Sequence, residues 1–176
     1  MTHPYPLAYL ITFCCYGTRL HGAEGAVTRY LNEPGTPTLP ANPELLDDTR
    51  ARMKQEAYRM DARRRQMVLQ ALIELSSVMD WALLAAHVRT NHVHAVVQAQ
   101  ARPERVMTAL KARSSRRLNA SRLDLPGRRR WERHGSTQYL WSPADVRNAV
   151  TYVLEVQGKA MEVFRGSPNA RSPNAR

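Results

Sequence analysis

"WALLAAHVRTNHVHAVVQA", residues 81–99, divides into two short apolar runs joined by Arg89, Thr90 and Asn91, and it reads as a β-hairpin. Side chains on a strand alternate between faces, so His92 and His94 share one face while Val93, Ala95 and Val97 take the other. The apolar face packs on helices and the histidines stand on the open face. His-x-His on one strand suits two imidazoles holding one divalent metal, because histidine is the commonest protein ligand for such ions.

Outward from the hairpin, the period changes on both sides. Upstream, "RRRQMVLQALIELSSVMD" places Val68, Leu72, Leu75 and Met79 at helical spacing, with Met67, Ala71 and Val78 widening the stripe. Downstream, Pro103 sits where a first helical turn accepts it, and Val106, Met107, Leu110 and Leu118 share one face. Near the start, "LAYLITFCCYGT" is β-rich and predicts a strand over Leu7–Tyr16. Between His21 and Pro43 seven glycines and prolines exclude a regular element, which defines an irregular insert over 21–45. The loop "DLPGRRRWERHGST" leads into "QYLW", a short edge strand. Ser142, Pro143 and Asp145 then spell a capped helix start, and Gly158 is its expected stop. The pentamer "SPNAR" is repeated at 167–171 and 172–176; it cannot bury a core, and residues 166–176 are expected to be a disordered tail.

Strand, helix, strand, strand, helix, strand with a further helix is the order of a split β-α-β sandwich. The expected fold is therefore α+β and ferredoxin-like, an antiparallel sheet with helices on one face, forming a single domain over residues 1–165. The chain has 176 residues, a length that suits one domain. No apolar run approaches a membrane span, and the N-terminus lacks the pattern of a secretory signal, so a cytoplasmic, nucleoid-associated protein is expected. Cys14 and Cys15 are adjacent and read as small strand residues.

Charge points to the partner. Lys and Arg number 26 against 15 Asp and Glu, a formal net charge of +11. Between Arg102 and Arg133 eleven basic residues face three acidic ones, a surplus of +8 in one arginine-dominated segment. Such a segment favours phosphate contacts, and no stretch pairs a basic face with a bulky aromatic one as a membrane-surface helix does. Arg105, Arg113 and Arg116 fall within roughly 80° on the helical wheel and can reach a common ligand. With Lys111, Arg117, Arg128, Arg129 and Arg130 they form the candidate DNA-binding set. Trp131 and Tyr139 are candidates to stack on bases or to join the core, and His87 reads as structural.

Taken together, "NHVHAVV", "YGTRLHG", "VRTNHVH", "HGSTQYLW" and "YVLEVQG" resemble the REP-associated tyrosine transposases, a branch of the HUH single-strand DNA transposases, over about Tyr9–Gly158. The resemblance implies a metal-dependent enzyme, often a homodimer, that cuts and rejoins single-stranded DNA at hairpin-associated sites. The family nucleophile matches Tyr152, and its metal-binding histidines match His92 and His94. A phenol needs activation and charge dispersal on the phosphate, which a divalent ion, Mg²⁺ or Mn²⁺, supplies. The covalent product would be a 5′-phosphotyrosine, and rejoining would need no nucleotide cofactor. On the helical wheel Tyr152 lies outside the sector of Val146, Val150, Val153 and Leu154, on a flank that can meet the open face.

The family's third ligand, four residues after the nucleophile, falls on Val156, which has no donor. Two residues stand in: Glu155, about 60° from Tyr152 around the helix, and Gln157, about 140° away unless the helix unwinds before Gly158. Arg19 stands where the family pattern has tryptophan. A catalytically inactive binder of single-stranded or hairpin DNA is the alternative function. An RNA-binding sheet ranks behind both, because the central strand carries His92, His94 and Gln98 in place of stacking aromatics.

Overall fold

The hairpin forms as the sequence reads it, and every other strand finds an antiparallel neighbour beside it. The structure, a computed structural model, describes residues 5–23 and 40–166. Residues 24–39 of the expected insert and the repeated tail from 167 onward lie outside the described residues. Nine elements follow in chain order: β1 (Ala8–Cys14), α1 (Pro43–Ala51), α2 (Ala62–Val78), β2 (Ala82–Val88), β3 (His92–Gln98), α3 (Pro103–Ala120), β4 (Ser136–Leu140), α4 (Pro143–Glu155) and β5 (Glu162–Arg165). They build one antiparallel sheet in the order β4-β1-β3-β2-β5. The first four strands are the ferredoxin-like arrangement expected from the sequence. Two short elements, α1 and β5, add to it.

The pleat sorts residues onto two faces. Tyr9, Ile11 and Phe13 of β1 and Val93, Ala95 and Val97 of β3 join Val68, Leu72, Leu75, Val106, Leu110 and Leu118 from α2 and α3 in the larger core. Ala8, Ala85 and Val96 point to the opposite face and pack against Leu140, Ala149 and Val153. Helix α4 therefore covers the second face, whereas the sequence reading put all helices on one. Its stripe is short, and the sheet beneath it offers small side chains that let it approach closely.

A β-bulge interrupts the β2–β3 register between Leu83 and Ala85. Leu83 packs in the larger core; Ala85 packs in the smaller one, and Leu84 lies against that same smaller cluster. The parity of everything downstream is thereby reversed. Simple alternation from Leu83 would send His87 toward α2 and α3; the bulge sends it to the face of His94, its register partner. The backbone of Gly166 holds the bulge, its N–H donating to the Leu84 carbonyl at 2.9 Å. A Cβ at Gly166 would come within 2.3 Å of the Leu83 carbonyl oxygen.

Much of the basic segment is committed to this framework. Asp124 accepts from Tyr58 Oη at 2.8 Å, Arg64 Nε at 2.9 Å and Arg130 Nε at 2.8 Å, and Arg130 Nη1 donates to Asn119 Oδ1. Burial pushes the Asp124 carboxyl up, but the hydrogen bonds from Arg130, Tyr58 and Arg64 outweigh it and hold the group below its usual range. Burial and the same carboxylate push Tyr58 up to about 12. This knot ties α2 and the segment before it to the loop that follows α3.

Candidate active site

Strands β1 and β3 place the candidate histidines opposite known partners. Thr12 pairs with His94 and Cys14 with His92 across the sheet. His94 Nδ1 lies 2.7 Å from Thr12 Oγ1, and His92 Nδ1 donates to Asn91 Oδ1 at 2.8 Å. The two imidazoles meet edge to face, their centroids 4.8 Å apart. Burial pushes His92 down to about 4, with the nearby Arg89 charge adding to the effect. Burial also pushes His94 to about 4, aided by His92 and opposed by a hydrogen bond with Gln157. Both rings are neutral at neutral pH, the form in which imidazole ligates a metal.

Helix α4 delivers Tyr152 to the same spot. Its start is fixed by the expected capping box: Ser142 Oγ accepts the Asp145 amide at 3.1 Å and Asp145 Oδ2 accepts the Ser142 amide at 2.9 Å. From there the helical period brings the Tyr152 ring to 5.7 Å from the His94 ring, edge to face, with the side chain 41% exposed. A substrate can reach the phenol from solvent.

The two candidates for a third ligand separate. The last helical residue of α4 is Glu155, short of the expected stop at Gly158. Glu155 turns to solvent and pairs with Arg165 at 3.4 Å. Gln157, past the last helical residue, brings its side chain beside His94, where it opposes the fall in that imidazole's pKa, and its Nε2 donates to the Tyr152 carbonyl at 3.4 Å. The structure thus gathers His92, His94, Tyr152 and Gln157 and leaves Glu155 outside the group. Two imidazoles and a carboxamide are a donor set that fits a divalent cation. Among the described residues no group of three His, Cys, Asp or Glu side chains could hold a metal, so Gln157 is the residue that raises the donor count to three.

Two neighbours of this site, Thr12 and Asn91, escaped the sequence reading, and a third, His87, reads there as structural. Thr12 and Asn91 orient the histidines; a polar residue on an otherwise apolar strand and an asparagine directly before the motif were the signals for them. His87 also faces the site side, and the bulge that turns it there left no sequence signal.

The candidate DNA-binding residues divide sharply. Arg130 is buried, 5% exposed, in the Asp124 knot. Arg113 and Arg117 both bind Glu74, whose carboxyl they hold below its usual range. Lys111 Nζ donates to the carbonyls of Glu132, Arg133 and His134. Arg128 donates to Gln55 and to the Glu56 and Ala57 carbonyls. Arg105, Arg116 and Arg129 remain exposed. Trp131 is a framework residue, its Nε1 donating to the Lys111 carbonyl and Ser115 Oγ, while Tyr139 is exposed and stacks on Trp141. Cys14 and Cys15 are buried free thiols that burial pushes upward in pKa.

Residues 51–148, more than half the chain, match the IS200-like transposases, and the chain belongs to that family. It is therefore a member of a family of DNA-processing enzymes that carry out transposition. Its fold is similar to that of a REP-associated tyrosine transposase solved in complex with a REP hairpin, with a TM-score of 0.48 and 12% identity over 88% of this chain and 70% of that one. It is also similar to a protein described as a transposase from Deinococcus radiodurans R1, with a TM-score of 0.44 and 16% identity over 87% and 92%. No curated protein matches the chain.

Proposed function

We propose that this transposase is a divalent-metal-dependent nickase and strand transferase acting on single-stranded DNA at hairpin-associated sites, with Tyr152 as its nucleophile. The observation that carries the reading is the meeting of four residues from two distant segments, His92 and His94 on β3 with Tyr152 and Gln157 at the end of α4. His92, His94 and Gln157 would hold the cation, Mg²⁺ or Mn²⁺, which when bound would supply charge neutralisation at the scissile phosphate. Thr12 and Asn91 hold the imidazole planes. The Tyr152 ring stands edge to face with that of His94, and the residue is partly exposed, as a nucleophile that meets DNA must be.

In the cleavage step a bond forms between the Tyr152 phenolic oxygen and phosphorus, and the bond from phosphorus to the 3′ oxygen breaks. The phenol loses its proton and the departing 3′ oxygen gains one, leaving a 5′-phosphotyrosine and a free 3′-hydroxyl. Attack by another 3′-hydroxyl reverses the step, so strand joining consumes no nucleotide. The exposed guanidinium groups of Arg105, Arg116 and Arg129 are the phosphate contacts of this reading. We further propose that the protein works in the cytoplasm, on the chromosome, as a homodimer.

The test is incubation with Mn²⁺ and labelled single-stranded hairpin oligonucleotides, followed by a denaturing gel. A covalent protein–DNA adduct is expected, absent in Tyr152→Phe and His92→Ala. Hairpin binding with no adduct from the wild-type protein would replace this reading with that of a non-catalytic binder.

A further inference from the structure

The helix that carries Tyr152 stops early, and the cause lies on the sheet beneath it. The Tyr152 carbonyl accepts the Val156 amide at 3.3 Å. Were α4 to continue, the Val153 carbonyl would accept the Gln157 amide in the same way. It accepts instead from His87 Nδ1, 3.2 Å away. The other ring nitrogen of His87 accepts the Met161 amide, also at 3.2 Å. These two bonds occupy both nitrogens of a fully buried imidazole and set it as the neutral Nδ1–H tautomer. Although His87 sits beside His94 in the sheet, it has no lone pair left for a cation.

We infer that His87 is a positioning residue for the site: by holding the Val153 carbonyl and the Met161 amide it ends α4 at Glu155 and turns residues 156–160 into a loop that carries Gln157 onto His94. On a continued helix Gln157 would lie about 140° from Tyr152, away from the histidines. Arg89 secures the same loop from the hairpin side. Its Nη1 donates to the Lys159 carbonyl at 3.2 Å, and its Nη2 lies 3.9 Å from where a Cβ on Gly158 would stand. Gly158 takes φ +73°, a left-handed conformation that suits glycine and reverses the chain after the helix. The bulge at Leu84 completes the arrangement, since without its change of parity His87 would face the opposite core.

This inference rests on the metal-site reading above for its functional meaning, and its test separates the two. His87→Phe keeps a ring of similar size but neither hydrogen bond; His87→Asn restores a donor toward Val153. Hydrogen exchange is measured on the metal-free proteins, and Mn²⁺ affinity is measured for wild type, His87→Phe, Gln157→Ala and the double variant. Amide exchange across 156–161 is expected to rise at least tenfold in His87→Phe. Mn²⁺ affinity should fall about 10- to 100-fold, the usual effect of losing an orienting partner. Gln157→Ala should then cost nothing further in that background, and His87→Asn should recover part of the affinity. Wild-type affinity in a folded His87→Phe protein, or fully additive losses in the double variant, would overturn the inference. If His87→Phe does not fold, the same comparisons are made with His87→Asn, for which losses fully additive with those of Gln157→Ala overturn it. Failure of the wild-type protein to bind Mn²⁺ would sink the metal-site reading itself, and is recognised because every affinity then reads zero while the exchange difference persists.

Discussion

The two faces of the sheet are built from the same strands and do different work. One face presents Tyr9, Ile11, Phe13, Val93 and Val97 to two long helices and contains no ionisable side chain of the candidate site. The other presents Ala8, Ala85 and Val96 to a single short helix, and beside them the polar residues Thr12, His87, His92 and His94. Bulk on the first face supplies burial; smallness on the second lets α4 come close enough for Tyr152 to meet His94. The lesson is that strand alternation lets one hairpin serve stability and chemistry at once without either intruding on the other.

The sharpest way to break this division is to remove the phenol. Tyr152→Phe should lower DNA-adduct formation by on the order of 10³-fold or more. Its melting temperature should stay within about 1–2 °C of wild type, because the lost hydroxyl belongs to a partly exposed side chain. A gel assay and a thermal melt measured on the same preparations check both halves.

The largest stability effect is expected on the opposite side, at the Asp124 knot. Asp124→Ala leaves the buried Arg130 without its carboxylate and Arg64 with Asp61 alone, which costs about 3–5 kcal/mol, or roughly 10 °C in Tm. Because the folded-state pKa of Asp124 lies below its ordinary 3.8, its stabilising contribution is complete above that pH and is lost as pH falls. The stability gap between wild type and Asp124→Asn should therefore narrow as pH falls below 3.8 toward the lowered folded-state value in denaturant titrations.

A matched pair of core truncations compares the faces directly. Leu72→Ala, in the larger core, should cost about 2–5 kcal/mol, and Val153→Ala, under α4, about 2 kcal/mol. Mn²⁺ affinity, corrected for the folded fraction, should fall only for Val153→Ala. Equal effects of both on metal binding would show that the faces are not independent. The smallest effect is expected at the start of α4, where Ser142→Ala removes one capping bond and costs about 1 kcal/mol in chemical denaturation.

Much of this was legible in residue order. The stripe of Val68, Leu72 and Leu75, the S-P-x-D start of α4 and the alternation of "HVHAVV" each carry a local rule, and each element formed within a few residues of its expected bounds. The elements that went unread, α1 and β5, have weak signals of their own. The first buries none of its residues, and the second is four residues paired to the far edge of the sheet. Of the candidate site, residue order points to His92, His94 and Tyr152 and leaves Glu155 and Gln157 level as the third ligand. The basic segment was read as one interface, yet five of its eight candidate residues are engaged with Glu74, Asp124 or backbone carbonyls. Composition counts charges and is silent on which are already paired.

What the sequence determined by itself is what depends on neighbours within a turn or two: which residues share a strand face, where helices begin, and that two histidines stand together. What the tertiary structure alone decided is what depends on competition between distant groups. The bulge that turns His87 toward the site is set by pairing with β3 and by the Gly166 amide. The end of α4 is set by an imidazole on β2 taking a carbonyl that the Gln157 amide would otherwise have bonded. A local pattern cannot foresee such outcomes, because a backbone carbonyl accepts whichever donor the fold brings to it first.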